Sequence, residues 1–230
     1  MEDIEKIPQE LQLKPKCLIY LTGLDVDNNH SHATVWKSFS QNRRSDRAPL
    51  KFRNVPVDHQ YPKSVSKRKW MRKHLDELPA VVAIFFDLEW DEKLWQGKLA
   101  ECARRVETVR SNLQSRDTKV VVVLLQKHAP VPVGDDLNAT ERAQNLCSTC
   151  DLPVKHLFVL QLTGFMFGCI TRLETEMHDM ASNYYHNAAK RVKSHRTSLN
   201  KTNHQLLFVR HEFKIAFFDE LKQDQNLALK

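Results

Sequence analysis

The sequence predicts an α/β protein in which a doubly wound, mostly parallel sheet is followed by long α-helices. Three observations predict this class. Short β-branched apolar runs recur along the first two thirds of the 230-residue chain, bounded by polar or turn residues. Helical patterns lie between these runs, and strands that alternate with helices indicate βαβ units. After about residue 165 the apolar residues keep helical spacing almost to the last residue.

Five segments have the composition of strands. The four continuous apolar runs lie at residues 17–21, 80–86, 119–125 and 156–160. Runs without alternating polar residues are typical of strands covered on both faces, so we expect these four inside the sheet. Residues 50–55 alternate apolar and polar side chains and precede Pro56, which favours an edge strand.

Three helices are predicted between these strands. Residues 31–40 and 138–147 can each form a short helix. The longest pattern runs from Asp91, a candidate N-cap, to Gln114. Its apolar residues recur every three or four positions, which is the period of a helix with one buried face. They are Trp95, Leu99, Cys102, Val106, Val109 and Leu113.

The last third of the chain predicts two antiparallel helices separated by a polar break at residues 198–203. Their apolar positions are Ile170, Leu173, Met177, Met180, Tyr184, Ala188 and Val192, then Leu206, Val209, Phe213, Phe217 and Leu221. We expect Phe208, Phe217 and Phe218 either in the core or on an exposed stripe that awaits a further helix.

A helical hairpin cannot bury both of its faces alone and usually stacks on a further helical unit. The pattern is also unfinished at residues 226–230. We therefore predict two parts, an α/β domain over residues 1–164 and a helical hairpin over residues 165–230. The chain is expected to be a fragment or short form of a longer protein.

Charge and glycine content narrow the classes of function. Lys and Arg number 35 against 28 Asp and Glu, which gives a net charge of +7 and a pI of about 9.2. This excess points to an anionic partner, either a nucleic acid, a membrane surface or an acidic protein. The chain has only five glycines, and none of them belongs to a glycine-rich phosphate loop, which nearly excludes standard dinucleotide and P-loop chemistry.

The start of the chain and its cysteines predict a cytoplasmic protein. Residues 1–10 are acidic and polar, unlike a secretory leader. The longest apolar runs are far shorter than the roughly 18 residues of a membrane-spanning helix. Five cysteines without a repeated spacing do not indicate a disulfide framework. The sequons at Asn29, Asn138 and Asn200 are therefore expected to be unmodified.

Two groups of residues could bind a metal. Cys147 and Cys150 form a C-x-x-C motif, which could be a redox pair or half of a zinc site. The sequence has no second pair of ligands nearby, which favours structural cysteines. Asp87, Glu89 and Asp91 follow a buried strand and could hold a divalent cation. Asp91 as a helix cap, with the other two in a solvated loop, is the favoured alternative.

Nucleotide binding and nucleophilic catalysis have weak signals. Residues 22–25 follow the first strand, where a nucleotide fingerprint would lie, but they contain a single glycine. His30 and His32 are two positions apart, and no metal or nucleophile motif contains them. The run Arg210, His211 and Glu212 lies on a predicted helix, where solvent exposure explains its polarity.

Basic residues form two clusters. The first contains Lys63, Lys67, Arg68, Lys69, Arg72 and Lys73 around Trp70. The second contains Lys190, Arg191, Lys193 and Arg196. Such clusters can contact phosphates of nucleic acids or membrane headgroups, so the first is a candidate for contact with an anionic surface. A solvated loop and a helix C-terminus are the favoured alternative, and no nucleic-acid motif is present, so no nucleic-acid partner is expected.

Segments spread over nearly the whole chain resemble one family. They are residues 21–25 (LTGLD), 42–47 (NRRSDR), 58–62 (DHQYP), 90–91 (WD), 101–107 (ECARRVE), 119–126 (KVVVVLLQ), 191–195 (RVKSH) and 200–224. On these segments the chain is similar to subunit eleven of the transport protein particle (TRAPP) complex, in the part that precedes the family's foie gras region. The connection between Pro62 and Trp70 is shorter than is usual in that family.

The resemblance implies a non-catalytic scaffold subunit of a tethering complex that exchanges guanine nucleotides on Rab-family GTPases. The implied partners are other TRAPP subunits, a Rab GTPase reached through the complex and an anionic membrane, with no cofactor and no catalytic residue in this chain. The implied location is the cytoplasm, peripherally on the cis-Golgi and the ER–Golgi intermediate compartment. The implied roles are ER-to-Golgi vesicle transport and autophagy. Family members are far longer, and residues 165–230 are expected to begin an α-solenoid.

Two other classes of function remain open on the sequence. One is a nucleotide-binding α/β enzyme that uses an atypical, glycine-poor loop at residues 22–25 together with Asp87. The other is a basic nucleic-acid-binding module that uses the two clusters of Lys and Arg.

Overall fold

Five strands form one parallel sheet in the computed structural model, which describes residues 14–41, 47–63, 70–114, 116–127, 136–162 and 166–229. The strands are β1 (Cys17–Thr22), β2 (Leu50–Val55), β3 (Val81–Asp87), β4 (Lys119–Gln126) and β5 (Leu157–Gln161). The main helices are α1 (His30–Ser40), α2 (Trp95–Leu113), α3 (Asp136–Thr149), α4 (Met166–Thr197) and α5 (Gln205–Leu221). Shorter helical turns lie at Trp70–Arg72, at Lys73–Glu77 (π-helical), at Val154–His156 (3-10) and at Gln225–Ala228.

The strand order is β2-β1-β3-β4-β5, and every pairing is parallel. This is the flavodoxin-like order of doubly wound sheets, in which the chain changes direction across the sheet between β1 and β3. The α/β class and the position of β2 at an edge are confirmed. Our expectation that residues 156–160 are covered on both faces is wrong, because β5 is the other edge strand and only Leu160 is buried in it.

Helices cover both faces of the sheet, because successive side chains of each central strand point to opposite sides. The face that contains Ile19, Ala83 and Val121 packs against α1, α4 and α5. The opposite face contains Leu18, Val82 and Val122 and packs against α2 and α3. The doubly wound arrangement predicted from the apolar runs is therefore confirmed.

Two local predictions are wrong. The helix expected to start at Asp91 starts at Trp95 after Leu94, and no side chain caps it; Asp91 lies exposed in the preceding turn. The basic segment at residues 63–74 was expected to be a solvated loop, but its described residues 70–74 lie in the helical turns Trp70–Arg72 and Lys73–Glu77. Trp70 anchors these turns to α5, because its ring lies 5.2 Å from that of Phe217.

The predicted helical hairpin is present, with α4 and α5 antiparallel. The ring of Tyr185 lies 6.2 Å from Phe218 near the sheet, and His195 lies 5.2 Å from His211 at the far end. The expected exposure of residues 210–212 is wrong for His211, which is buried against α4. The buried face of α4 from Ile170 to Ala189 belongs to the core of the sheet. The division at residue 164 and the start of a solenoid stay predictions.

Candidate functional site

The crevice between the carboxyl ends of β1 and β3 is where doubly wound sheets usually bind ligands. Gly23 follows β1 there with φ of +86°, and a Cβ at this position would lie 2.2 Å from the carbonyl oxygen of Phe85. Only glycine allows this approach. The glycine in the supposed nucleotide loop therefore closes the loop onto β3, and no phosphate is needed to explain it.

A hydrogen-bonded histidine fills the same crevice. The backbone N–H of Asp25 donates to Nδ1 of His32 at 3.0 Å, so the proton on the ring is assigned to Nε2. Nε2 then donates to Asp87, with distances of 3.2 Å to Oδ1 and 3.1 Å to Oδ2. His32 is 4% exposed. It joins the loop after β1, helix α1 and the end of β3 into one unit.

The N-terminus of α1 is also occupied. In dinucleotide-binding folds the amide groups at this position hold the phosphates. Here the side chain of Asn29 caps the helix, and its Oδ1 accepts hydrogen bonds from the N–H groups of Ser31 at 3.0 Å and His32 at 3.3 Å. The donors that would cradle a phosphate are therefore used within the protein.

The three carboxylates predicted as a possible cation site do not converge. Asp87 contacts His32, whereas Glu89 accepts a hydrogen bond from the backbone N–H of Lys127 at 2.6 Å. Asp91 is exposed in the turn before α2. Within the residues that the structure describes, no group of three His, Cys, Asp or Glu side chains could hold a metal ion.

The cysteines of the C-x-x-C motif lie at the end of α3, and both are buried. The partner of Cys150 is Cys102 on α2, and this hydrogen bond, together with burial, raises the pKa of the Cys102 thiol. Burial also raises the pKa of Cys147 and brings that of Cys17 to about 12. The same hydrogen bond lowers the pKa of Cys150. Because the thiolate is the reactive form, Cys17, Cys102 and Cys147 are poor nucleophiles.

The first basic cluster is divided by the fold. Lys63 and Arg72 are exposed, and Lys73 is half-buried in a cleft at the edge where the strands begin. Lys67, Arg68 and Lys69 lie outside the described residues.

The second basic cluster lies on the last turns of α4. Lys190 and Lys193 are exposed. Arg191 lines the same cleft as Lys73 and pairs with Asp117. Arg196 pairs with Glu212 of α5. Sequence reasoning missed Arg116 and Lys214, two further cations that the fold brings to this cleft from distant segments.

An apolar stripe lies on the outer face of α5. Leu206 is 89% exposed, Val209 65% and Phe213 44%. Of the three phenylalanines expected either in the core or on an exposed stripe, Phe217 and Phe218 are in the core, and Phe208 is half-buried. Exposed apolar patches on a helix face are typical of surfaces that contact another chain or segment. Among the described helices, none is long and apolar enough to cross a membrane.

Comparisons with known proteins identify the family. The family model of the trafficking protein particle complex subunit 11 N-terminal domain matches residues 49–164, which is half of the chain. The chain is 51% identical to the trafficking protein particle complex subunit 11 of Gallus gallus over 238 residues, and equally to that of Homo sapiens over 237. Each alignment covers 97% of this chain but 21% of the relative, so the chain spans about a fifth of the length of these relatives.

The alignment of 238 positions exceeds the 230 residues of the chain, so the Gallus gallus relative has additional residues within the aligned range. The matched range starts at the beginning of β2 and ends just after β5, and it therefore includes four of the five strands. The chain belongs to the family of the trafficking protein particle complex subunit 11 N-terminal domain.

Proposed function

We propose that this chain is the N-terminal part of a non-catalytic scaffold subunit of a TRAPP-type tethering complex. Its partners are other TRAPP subunits, and it reaches Rab-family GTPases through the complex that exchanges their nucleotides. It acts in ER-to-Golgi vesicle transport and in autophagy, in the cytoplasm and peripherally on cis-Golgi membranes and the ER–Golgi intermediate compartment. Membership of the subunit 11 family supports the assembly with a TRAPP complex.

The single observation that supports a scaffold over an enzyme is the filled crevice at the ends of β1 and β3. His32 and Asp87 occupy the position where a ligand would lie, and Asn29 occupies the amides at the start of α1. A nucleotide would have to displace these part-buried hydrogen bonds, and a polar group left buried without a partner costs about 1–3 kcal/mol.

Titration of the 230-residue chain with ATP, GTP and NADH tests this point. The expected result is no binding of any of the three that depends on His32. Saturable binding of one nucleotide that is lost in a His32→Ala variant would refute the scaffold and favour the nucleotide-binding enzyme. The variant must be shown to be folded by circular dichroism before the comparison is made.

The apolar stripe on α5 is the surface on which we propose that the following part of the longer protein packs. We propose that residues 165–230 begin an α-solenoid and that the next helix of the longer protein packs on Leu206, Val209 and Phe213. A helix face of this kind is buried in solenoids by the neighbouring repeat.

A triple Leu206→Ser, Val209→Ser, Phe213→Ser substitution in the full-length protein is expected to expose the following helices to limited proteolysis. The matched control changes the exposed Lys190 and Lys193 of α4 to Ser. Equal cleavage of the two variants would contradict the docking of a helix on this stripe.

A further inference from the structure

A cleft of about 570 Å³ opens at the edge where the strands begin, opposite the filled crevice. It lies between the π-helical turn Lys73–Glu77, the residues that precede β4, and helices α4 and α5. Four cations line it, namely Lys73, Arg116, Arg191 and Lys214. The apolar part of its wall includes Trp70 and Phe218. A concave site of this volume is the size of a small-molecule pocket.

Three of the four cations have no carboxylate partner within the described part of the chain, and the ammonium of one of them, Lys214, lies 5.4 Å from the centre of the Trp70 ring. Arg191 pairs with Asp117. Among the residues that the structure describes, Lys73, Arg116 and Lys214 form no salt bridge. Arg116 donates one hydrogen bond to the carbonyl oxygen of Pro62, while its Nη1 is buried without a partner. The cleft thus holds an excess of positive charge that the carboxylates of the described residues do not pair with.

The clustering of these cations is unfavourable without an anion. Burial lowers the pKa of Lys73, and the nearby Arg116 lowers it further, against the opposing effect of Glu77. Burial, Arg210 and Lys73 together lower the pKa of Lys214. Half-buried groups that repel one another in a cleft are characteristic of binding sites, because a ligand of opposite charge relieves the repulsion.

The geometry indicates the chemistry of the ligand. A phosphate monoester carries about −1.5 to −2 charges and three acceptor oxygens near neutral pH, so more than one phosphate group is needed to match three unpaired cations. The rings of Trp70 and Phe218 provide an apolar wall for the carbon skeleton of such a molecule. We propose that this cleft binds a small molecule with two or more phosphate groups, either free in solution or as a lipid headgroup.

This site goes beyond the proposed scaffold function and does not depend on it. Assembly into a complex could fail while the cleft binds its ligand, and the reverse is equally possible.

Calorimetric titration of the 230-residue chain with inositol hexakisphosphate at low salt tests the proposal. The wild-type chain is expected to bind with an affinity that falls as salt is added. The double variant Lys73→Ala, Lys214→Ala is expected to bind at least about tenfold more weakly, because two charge-assisted hydrogen bonds are lost. The control, Lys190→Ala with Lys193→Ala, removes the same charge from the exposed face of α4 and is expected to bind like wild type.

Hydrogen exchange on the wild-type chain tests the proposal without any substitution that could disturb the fold. Inositol hexakisphosphate is expected to slow exchange in residues 70–77 and 116–118. Absence of binding, an equal loss in both double variants, or protection confined to other segments would each overturn the proposal.

Vesicles distinguish the two sources of the ligand. Phosphatidylcholine vesicles are compared with and without phosphatidylinositol 4-phosphate in a sedimentation assay. Binding that requires the phosphoinositide and is lost in the Lys73→Ala, Lys214→Ala variant supports a headgroup. Binding of inositol hexakisphosphate without binding of either vesicle supports a free phosphorylated molecule.

Discussion

The buried ion pair between Arg47 and Glu174 is expected to be costly to break when only one of its members is replaced. Nε of Arg47 donates to Oε2 of Glu174 at 2.7 Å, and Nη2 donates to Oε1 at 2.5 Å. Nη1 donates to the carbonyl oxygen of Ser38 at 2.9 Å. The two side chains are 4% and 1% exposed. The pair joins the connection between α1 and β2 to the long helix α4.

Replacing Arg47 with Met removes the guanidinium that donates two hydrogen bonds to the buried carboxylate of Glu174. Loss of one member of a buried pair typically lowers the free energy of unfolding by about 3–5 kcal/mol, a large fraction of the 5–15 kcal/mol that holds an average domain together. The double variant Arg47→Met, Glu174→Leu is expected to recover most of this loss, because an apolar pair of similar volume often replaces a buried ion pair without penalty.

Urea unfolding followed by circular dichroism measures both effects. The matched control is Lys98→Met, which breaks the half-exposed pair with Glu101 at 3.9 Å and is expected to change stability by less than about 1 kcal/mol. If Arg47→Met also stays within about 1 kcal/mol of wild type, or if the double variant is no more stable than the single one, the reasoning on this pair is refuted.

Three further predictions concern single residues. Gly23→Ala is expected to destabilise the chain by about 2–5 kcal/mol in urea unfolding, because Ala is strained at positive φ and its Cβ would overlap the Phe85 carbonyl; a loss below about 1 kcal/mol would contradict this. His32→Ala is expected to lower the free energy of unfolding by about 2–4 kcal/mol. Asp87→Asn keeps an oxygen that can accept the hydrogen bond from His32, so its expected loss is less than about 1 kcal/mol. Equal losses in the two variants would contradict this description of the hydrogen bond. Burial and the nearby Lys73 lower the pKa of His74 from 6.5 to about 3, so between these values the unfolded chain binds a proton that the folded chain does not. The free energy of unfolding is then expected to fall by about 1.4 kcal/mol per pH unit as the pH drops below 6.5. The fall is expected to be less steep in His74→Phe, and identical slopes in the variant and the wild-type chain would contradict this prediction.

The central strands could be predicted because their apolar runs have no other stable environment than the interior of a sheet. β5 has the same composition, but its place at the edge depends on the order of the strands, which the runs themselves do not encode. The helical turns at residues 70–77 were missed because the charged residues around Trp70 indicated a solvated loop, whereas Trp70 anchors the segment. Its partner Phe217 is far away in the chain.

The filled crevice was only partly predictable. The position of Asp87 after a buried strand correctly placed it at the edge of the sheet where the strands end. Its contact with His32 could not be predicted, because the two residues are 55 positions apart and meet only in the folded chain. The basic cleft illustrates the same limit of local patterns. Two of its cations lie in clusters that the sequence displays, whereas Arg116 and Lys214 stand alone in the sequence and join the others only when α5 packs beside the start of β4.

We predict that this protein functions by assembling with other TRAPP subunits. The most direct measurement is affinity purification of the tagged full-length protein from cells of its own source, followed by quantitative mass spectrometry of what co-purifies. We predict that other TRAPP subunits are recovered in amounts comparable to the bait, and that they remain after washing with nucleotide-free buffer and with buffer that contains GTP. Recovery of the full-length protein without any TRAPP subunit would contradict the account.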